Sequence, residues 1–197
     1  MSRRSLVLFT LLLAACGDDT GIRPEPTPLP SRVEAVGARR EDPAQRFCDV
    51  SAPFGEGAPI ALPATEGPAL PTEGWRWINV WATWCAPCVE EIPRLLTFRD
   101  RLQSEGIAVT HWLVSVDATS ALVDEFRARH AGTPESARLT DPAGLPALVS
   151  ALGVDAGATI PIHALVDPTG HVRCVRTGAI TDRDFDVVRA IVRQTER

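Results

Sequence analysis

Residues 75–82 read WRWINVWA, apolar at nearly every position, rich in residues that favour extended backbone and without alternation. Such a run predicts a central strand buried on both faces. The period then changes. Ile92, Leu95, Leu96, Phe98 and Leu102 recur at helical spacing as far as the polar SEG at 104–106, with Glu90 and Glu91 in the first turn, so a helix is expected there. Pro93 falls inside that helix and predicts a kink. Residues 107–117 read as a second buried strand and 119–130 as a helix opened by a Thr or Ser cap. Residues 131–143 read as loop, with a short strand near ARLTD, and 145–152 as a short helix. Two strands follow around a turn at 167–170, and 182–194 closes as an amphipathic helix. The order β-α-β-α-α-β-β-α predicts an α/β sandwich, a central mixed β-sheet flanked by helices.

The amino-terminal pattern is of another kind. Two arginines precede an apolar run from Leu6 to Leu13 and then small residues, the charge and length of an export signal and too short for a permanent membrane span. Leu13, Ala14, Ala15 and Cys16 resemble a bacterial lipoprotein box, in which residues 1–15 are removed and Cys16 becomes the lipidated first residue. Prolines at 24, 26, 28 and 30, among charges and few apolar side chains, make residues 16–45 a stiffened tether. Residues 46–197 are the size of one domain. The expected location is the periplasmic face of a bacterial membrane, held there by the lipid.

Composition narrows the chemistry. All 20 basic residues are arginine and the formal charge is −5, with no basic run, which argues against nucleic acid as a partner. Lysine and tyrosine are absent, so proton transfers fall to carboxylates, histidines, thiols or water.

There are five cysteines. With Cys16 lipidated, a close pair remains, Cys85 and Cys88, and a distant pair, Cys48 and Cys174. In an oxidising compartment an even remainder fits disulfide chemistry, so Cys48 and Cys174 are expected to form a structural disulfide; two free, buried, inert thiols are the alternative. For the close pair, a zinc site would need about four ligands, and the histidines at 111, 130, 163 and 171 are scattered, so no metal is expected. His111 and His163, inside strands, read as hydrogen-bonded structural residues. A staple across two residues removes little chain entropy. A redox pair fits best: a cysteine at a helix N-terminus meets unpaired N–H groups and the positive end of the dipole, which favour its thiolate. Cys85 is therefore the attacking thiol and Cys88, one turn in, the resolving thiol, with Pro87 suited to the first turn.

At these residues the chain resembles the thioredoxin superfamily, and within it the TlpA/ResA-like extracytoplasmic thiol-disulfide oxidoreductases. NVWATWCAPCVEEIP, residues 79–93, is similar to that branch's strand-to-helix signature, and ATIPIHALVDPTGHV, residues 158–172, to its cis-proline segment. The resemblance implies a thioredoxin-like sandwich, Pro161 as the cis-proline, Trp84, Ala86, Pro87, Ile160 and Pro161 as substrate-contacting residues, and Glu91 as an active-site acid that takes the proton of Cys88. Glu90 is expected only to complement the helix dipole. It further implies a monomer with no cofactor, reducing protein disulfides such as those of apocytochrome or metal-site cysteines and recharged by a membrane electron-donor protein. The pattern departs at Ala86 and Val89, which leaves the redox potential open. A disulfide-forming oxidase and a non-catalytic copper-handling thiol protein stand as alternatives.

Overall fold

The seven residues of β3 (Trp75–Trp81) are all buried, and the other described strands and helices are arranged around them. The structure is a computed structural model that describes residues 42–194. β3 runs parallel to β4 (Val109–Ser115) and antiparallel to β6 (Ile162–Val166), so Trp77 faces His111 on one side and Asn79 faces His163 on the other. β1 (Val50–Ser51), β2 (Thr65–Glu66), β5 (Ser136–Leu139) and β7 (Val172–Thr177) complete a seven-stranded mixed sheet of order β1-β7-β6-β3-β4-β5-β2. The helices are α1 (Pro43–Phe47), α2 (Ala86–Ser104), α3 (Ser120–Arg129), α4 (Leu145–Ala151) and α5 (Phe185–Val192). This is the thioredoxin-like sandwich that the sequence predicts, with two short edge strands and one helix added.

Alternate residues of a strand point to opposite faces, and β3 accordingly supplies two cores. Ile78 and Val80 join Trp112, Val114, Ile162 and Ala164 under Val123 and Phe126 of α3 and Leu148 and Val149 of α4. Trp75 and Trp77 join Leu95, Phe98 and Leu102 of α2 with Phe185, Val188 and Ile191 of α5. α2 is built by its stripe: Cys88, Glu91, Ile92, Leu95, Phe98 and Leu102 are buried at helical spacing. The helix runs through Pro93 to Ser104, although the missing amide deprives the Val89 carbonyl of its helical donor.

The chain entering the domain is fastened to β7. Cys48 and Cys174 are joined by a disulfide of S–S 1.96 Å. The neighbouring Arg173, fully buried, donates to both carboxylate oxygens of Asp42 at 2.6 Å and to Oε1 of Gln194. Asp42 also caps α1 through the Ala44 amide, and Ala44 and Phe47 are buried. Residues 42–45, expected in the tether, therefore belong to the folded part. The composition misled because Asp42-Pro43 is both a loop signal and a helix start, an N-cap followed by proline at the first helical position. The expected signal sequence, Cys16 and the expected tether as far as residue 41 lie outside the described residues.

Candidate active site

The turn from β3 into α2 is fixed before the first cysteine. The amide and hydroxyl of Thr83 donate to the two carboxylate oxygens of Asp117 at 3.0 and 2.7 Å. Asp117 is itself fully buried and accepts from Ser115 Oγ at 2.6 Å, while Arg138 donates to its carbonyl at 3.1 Å. Trp84 follows, 68% exposed, an apolar surface beside the sulfurs.

Cys85 is the N-cap of α2, and the Cys88 amide points at its sulfur at 3.3 Å. That N–H is one of the orphan donors of a helix start, placed to stabilise a thiolate on Cys85. The two cysteines are joined by a disulfide, S–S 2.04 Å. Cys85 keeps 5% of its surface and Cys88 none, so the sulfur open to a partner is that of Cys85. Ala86 and Pro87 are exposed at the helix tip.

The Ile160–Pro161 peptide is cis, and the Ile160 carbonyl oxygen lies 3.8 Å from Cys85 Sγ. Pro161 is buried and Ile160 half-buried. The Pro161 carbonyl accepts the Gly178 amide at 2.9 Å, which ties the segment to the end of β7. The fold thus brings Trp84, Cys85, Ala86 and Pro87 to the same end of the sheet as Ile160 and Pro161, with Cys85 and Ile160 meeting across 75 positions of sequence.

Glu91 is fully buried on α2, and Glu90 is exposed. The Glu91 carboxylate accepts from Asn79 Nδ2 at 3.0 Å and from the Ile180 amide at 2.8 Å, with His163 Nε2 3.3 Å away. Trp77 Nε1 donates to His163 Nδ1 at 3.2 Å. Sequence reasoning singled out Glu91 and Asn79 but missed that His163 completes their cluster. The signal is the register Asn79↔His163 of two strands 84 positions apart, which the sequence does not carry locally. His111, on the other side of Trp77, was expected to be hydrogen-bonded, yet its Nε2 has no partner among the described residues. Its ring packs on Trp77 at 4.8 Å, and burial, helped by Arg99 and His163, pushes it down to about 3. Among the described residues no three His, Cys, Asp or Glu side chains gather as metal ligands, and no helix is long and apolar enough to cross a membrane.

No protein-family profile matches the chain. In sequence it is similar to the thiol-disulfide oxidoreductase ResA of Geobacillus thermodenitrificans, 27% identical over 109 residues that make up 55% of this chain and 58% of that protein. It is also similar to the sporulation thiol-disulfide oxidoreductase A of Bacillus subtilis, 26% identical over 57% of this chain and 66% of that one. The matches thus span less than two thirds of either relative. Among solved structures, a secreted thiol-disulfide isomerase from Corynebacterium glutamicum superposes with a TM-score of 0.50 at 24% identity, covering 61% of this chain and 72% of the other, a likeness of fold. With a mixed sheet flanked by helices and a Cys-x-x-Cys pair at the start of α2, the chain has a thioredoxin-like fold and is similar in sequence to thiol-disulfide oxidoreductases of the ResA group.

Proposed function

We propose that this protein is a membrane-tethered thiol-disulfide oxidoreductase that reduces disulfides of extracytoplasmic proteins through Cys85 and Cys88. The observation that carries the reading is the Cys85–Cys88 disulfide at the N-cap of α2, beside the cis Ile160–Pro161 peptide.

In the reduced protein the Cys85 thiolate attacks one sulfur of a substrate disulfide, the substrate bond breaks, and one substrate thiolate leaves and is protonated by solvent. A mixed disulfide now joins Cys85 to the substrate. Cys88 gives its proton to Glu91 and attacks Cys85 Sγ; the Cys85–Cys88 bond forms and the second substrate thiolate departs. The substrate gains two electrons and the pair loses two, which a membrane-bound dithiol donor returns. Trp84, Ala86 and Pro87 offer the substrate a surface, and the Ile160 carbonyl beside Cys85 offers its backbone an acceptor. The export-signal pattern, the lipoprotein box at Cys16 and the Cys48–Cys174 disulfide support a site of action outside the cytoplasm. Substrates of this kind include apocytochromes and proteins with metal-binding cysteines.

Insulin reduction by the full-length protein tests the reading. Turnover that disappears in Cys85→Ser, with Cys88→Ser trapping a mixed disulfide, is the expected result; Cu(I) binding without turnover would replace it. A redox titration of the pair sets the direction. A strongly oxidising potential, near about −120 mV, would make the protein an oxidase.

A further inference from the structure

Three N–H groups from three parts of the chain surround the buried Glu91 carboxylate, and one of them belongs to a histidine whose hydrogen is placed by a tryptophan. We propose that His163 is a positioning residue for the resolving step: as the neutral Nε2–H tautomer, it holds Glu91 ionised and in place to receive the proton of Cys88. The proposal rests on the oxidoreductase reading above and adds a residue to it.

The tautomer follows from what each partner can do. An indole nitrogen only donates, and Trp77 Nε1 lies 3.2 Å from His163 Nδ1. Asn79 Nδ2, identified as the amide nitrogen because it also meets Glu91 Oε1 at 3.0 Å, lies 3.3 Å from the same Nδ1. A hydrogen on Nδ1 would face two donors, so Nδ1 accepts and Nε2 carries the hydrogen. An imidazolium, with hydrogen on both nitrogens, is disfavoured for the same reason. Nε2 lies 3.3 Å from Glu91 Oε2 and makes no hydrogen bond among the described residues. Its hydrogen therefore has one place to go, and a buried N–H left without a partner is costly.

The surrounding charges leave this task to neutral donors. His111 on β4 stands behind Trp77 and is held neutral. Arg99 and Asp100 of α2 act on His111. Arg94, one turn past Glu91, is turned to the Ile180 carbonyl at 2.8 Å and to Asp182 at 2.9 Å. Cys88 is one turn before Glu91 on its own helix, and Cys85 caps that helix. What remains at the carboxylate is two hydrogen-bond donors, Asn79 and the Ile180 amide, which favour the charged form, and the His163 Nε2 facing it at 3.3 Å. His163 adds a third N–H facing the carboxylate, the form of Glu91 that can accept the proton of Cys88, and its loss takes that N–H away.

The test reads Glu91 directly in the oxidised full-length protein. Infrared difference spectra against Glu91→Gln isolate its carboxyl band at neutral pH. The wild type is expected to show a carboxylate, His163→Phe a protonated acid, and His163→Gln, which restores an N–H donor, a carboxylate again. In the reduced protein the rising limb of the pH–rate profile is expected to move up by about one unit in His163→Phe, a tenfold loss at fixed pH on that limb. A carboxylate band in His163→Phe, with both disulfides and the native circular dichroism retained, overturns the proposal. Should that variant not fold, the imidazole 15N resonances of the wild type, assigned with His163→Gln, decide: the Nε2–H tautomer upholds it, and an Nδ1–H or imidazolium form overturns it. None of these spectra needs turnover, so wild-type protein inactive on insulin would defeat the oxidoreductase reading alone.

Discussion

Glu90 and Glu91 are adjacent in sequence and opposite in environment, one exposed at the helix edge and one sealed between α2 and β3. On the proposed mechanism Glu91→Gln takes away the acceptor for the Cys88 proton, and it is expected to change the pH dependence of insulin reduction, with a loss of roughly tenfold to a hundredfold near neutrality. Glu90→Gln is expected to leave the profile in place; matching profiles for wild type and Glu91→Gln would refute the assignment. His111 bears on stability instead. Its folded value of about 3 lies below the ordinary 6.5, so between these pH values the unfolded chain binds a proton that the native chain refuses. Stability therefore falls as pH drops through that window, with a slope of at most about 1.4 kcal/mol per pH unit from this group. His111→Phe, which keeps the packing on Trp77, is expected to flatten the acid limb of a denaturant-midpoint curve over the same window. At this scale the sequence was legible where chemistry is local. The pair Cys85 and Cys88 announces itself by spacing and context, and Pro161 by its neighbours in a motif. His163 does not, because its meaning lies in a cross-strand register.

At the scale of elements, the long periodic segments could be read within a few residues, since β3, α2 and β4 are specified by their own apolar patterns. The edge pieces could not. β1 and β2 are two residues each and exist because β7 and β5 offer them unpaired backbone. The segment before β2 shows how closely such pieces fit. The Ala58 carbonyl accepts the Val172 amide at 2.8 Å, and a Cβ on Gly57 would stand 1.9 Å from the Val172 carbonyl oxygen, a contact that only backbone movement relieves. Gly57→Ala is expected to cost about 2 kcal/mol, the scale of an overpacking strain. The loss should appear as a lower urea midpoint at unchanged m-value, while reactivity of the Cys85–Cys88 pair stays as it was. A midpoint equal to that of the wild type would mean that the loop moves freely off β7.

For the whole molecule, the Cys48–Cys174 bond closes a loop with a sequence separation of 126. In the chain-entropy picture such a loop is worth on the order of 4–5 kcal/mol. Cys48→Ser combined with Cys174→Ser is expected to lower the unfolding free energy by about that much, or somewhat less where Asp42 and Arg173 still hold the segment. Insulin reduction at low temperature should survive; its disappearance in a variant still folded by circular dichroism would show that this bond serves the chemistry too. The same ring has a topological consequence. Cys85, Cys88, Glu91, His163 and the cis peptide all lie between residues 48 and 174, inside a closed covalent circle. A protease that nicks the chain anywhere in that interval produces two pieces that still migrate as one, and they separate on a gel only after a reductant opens the circle.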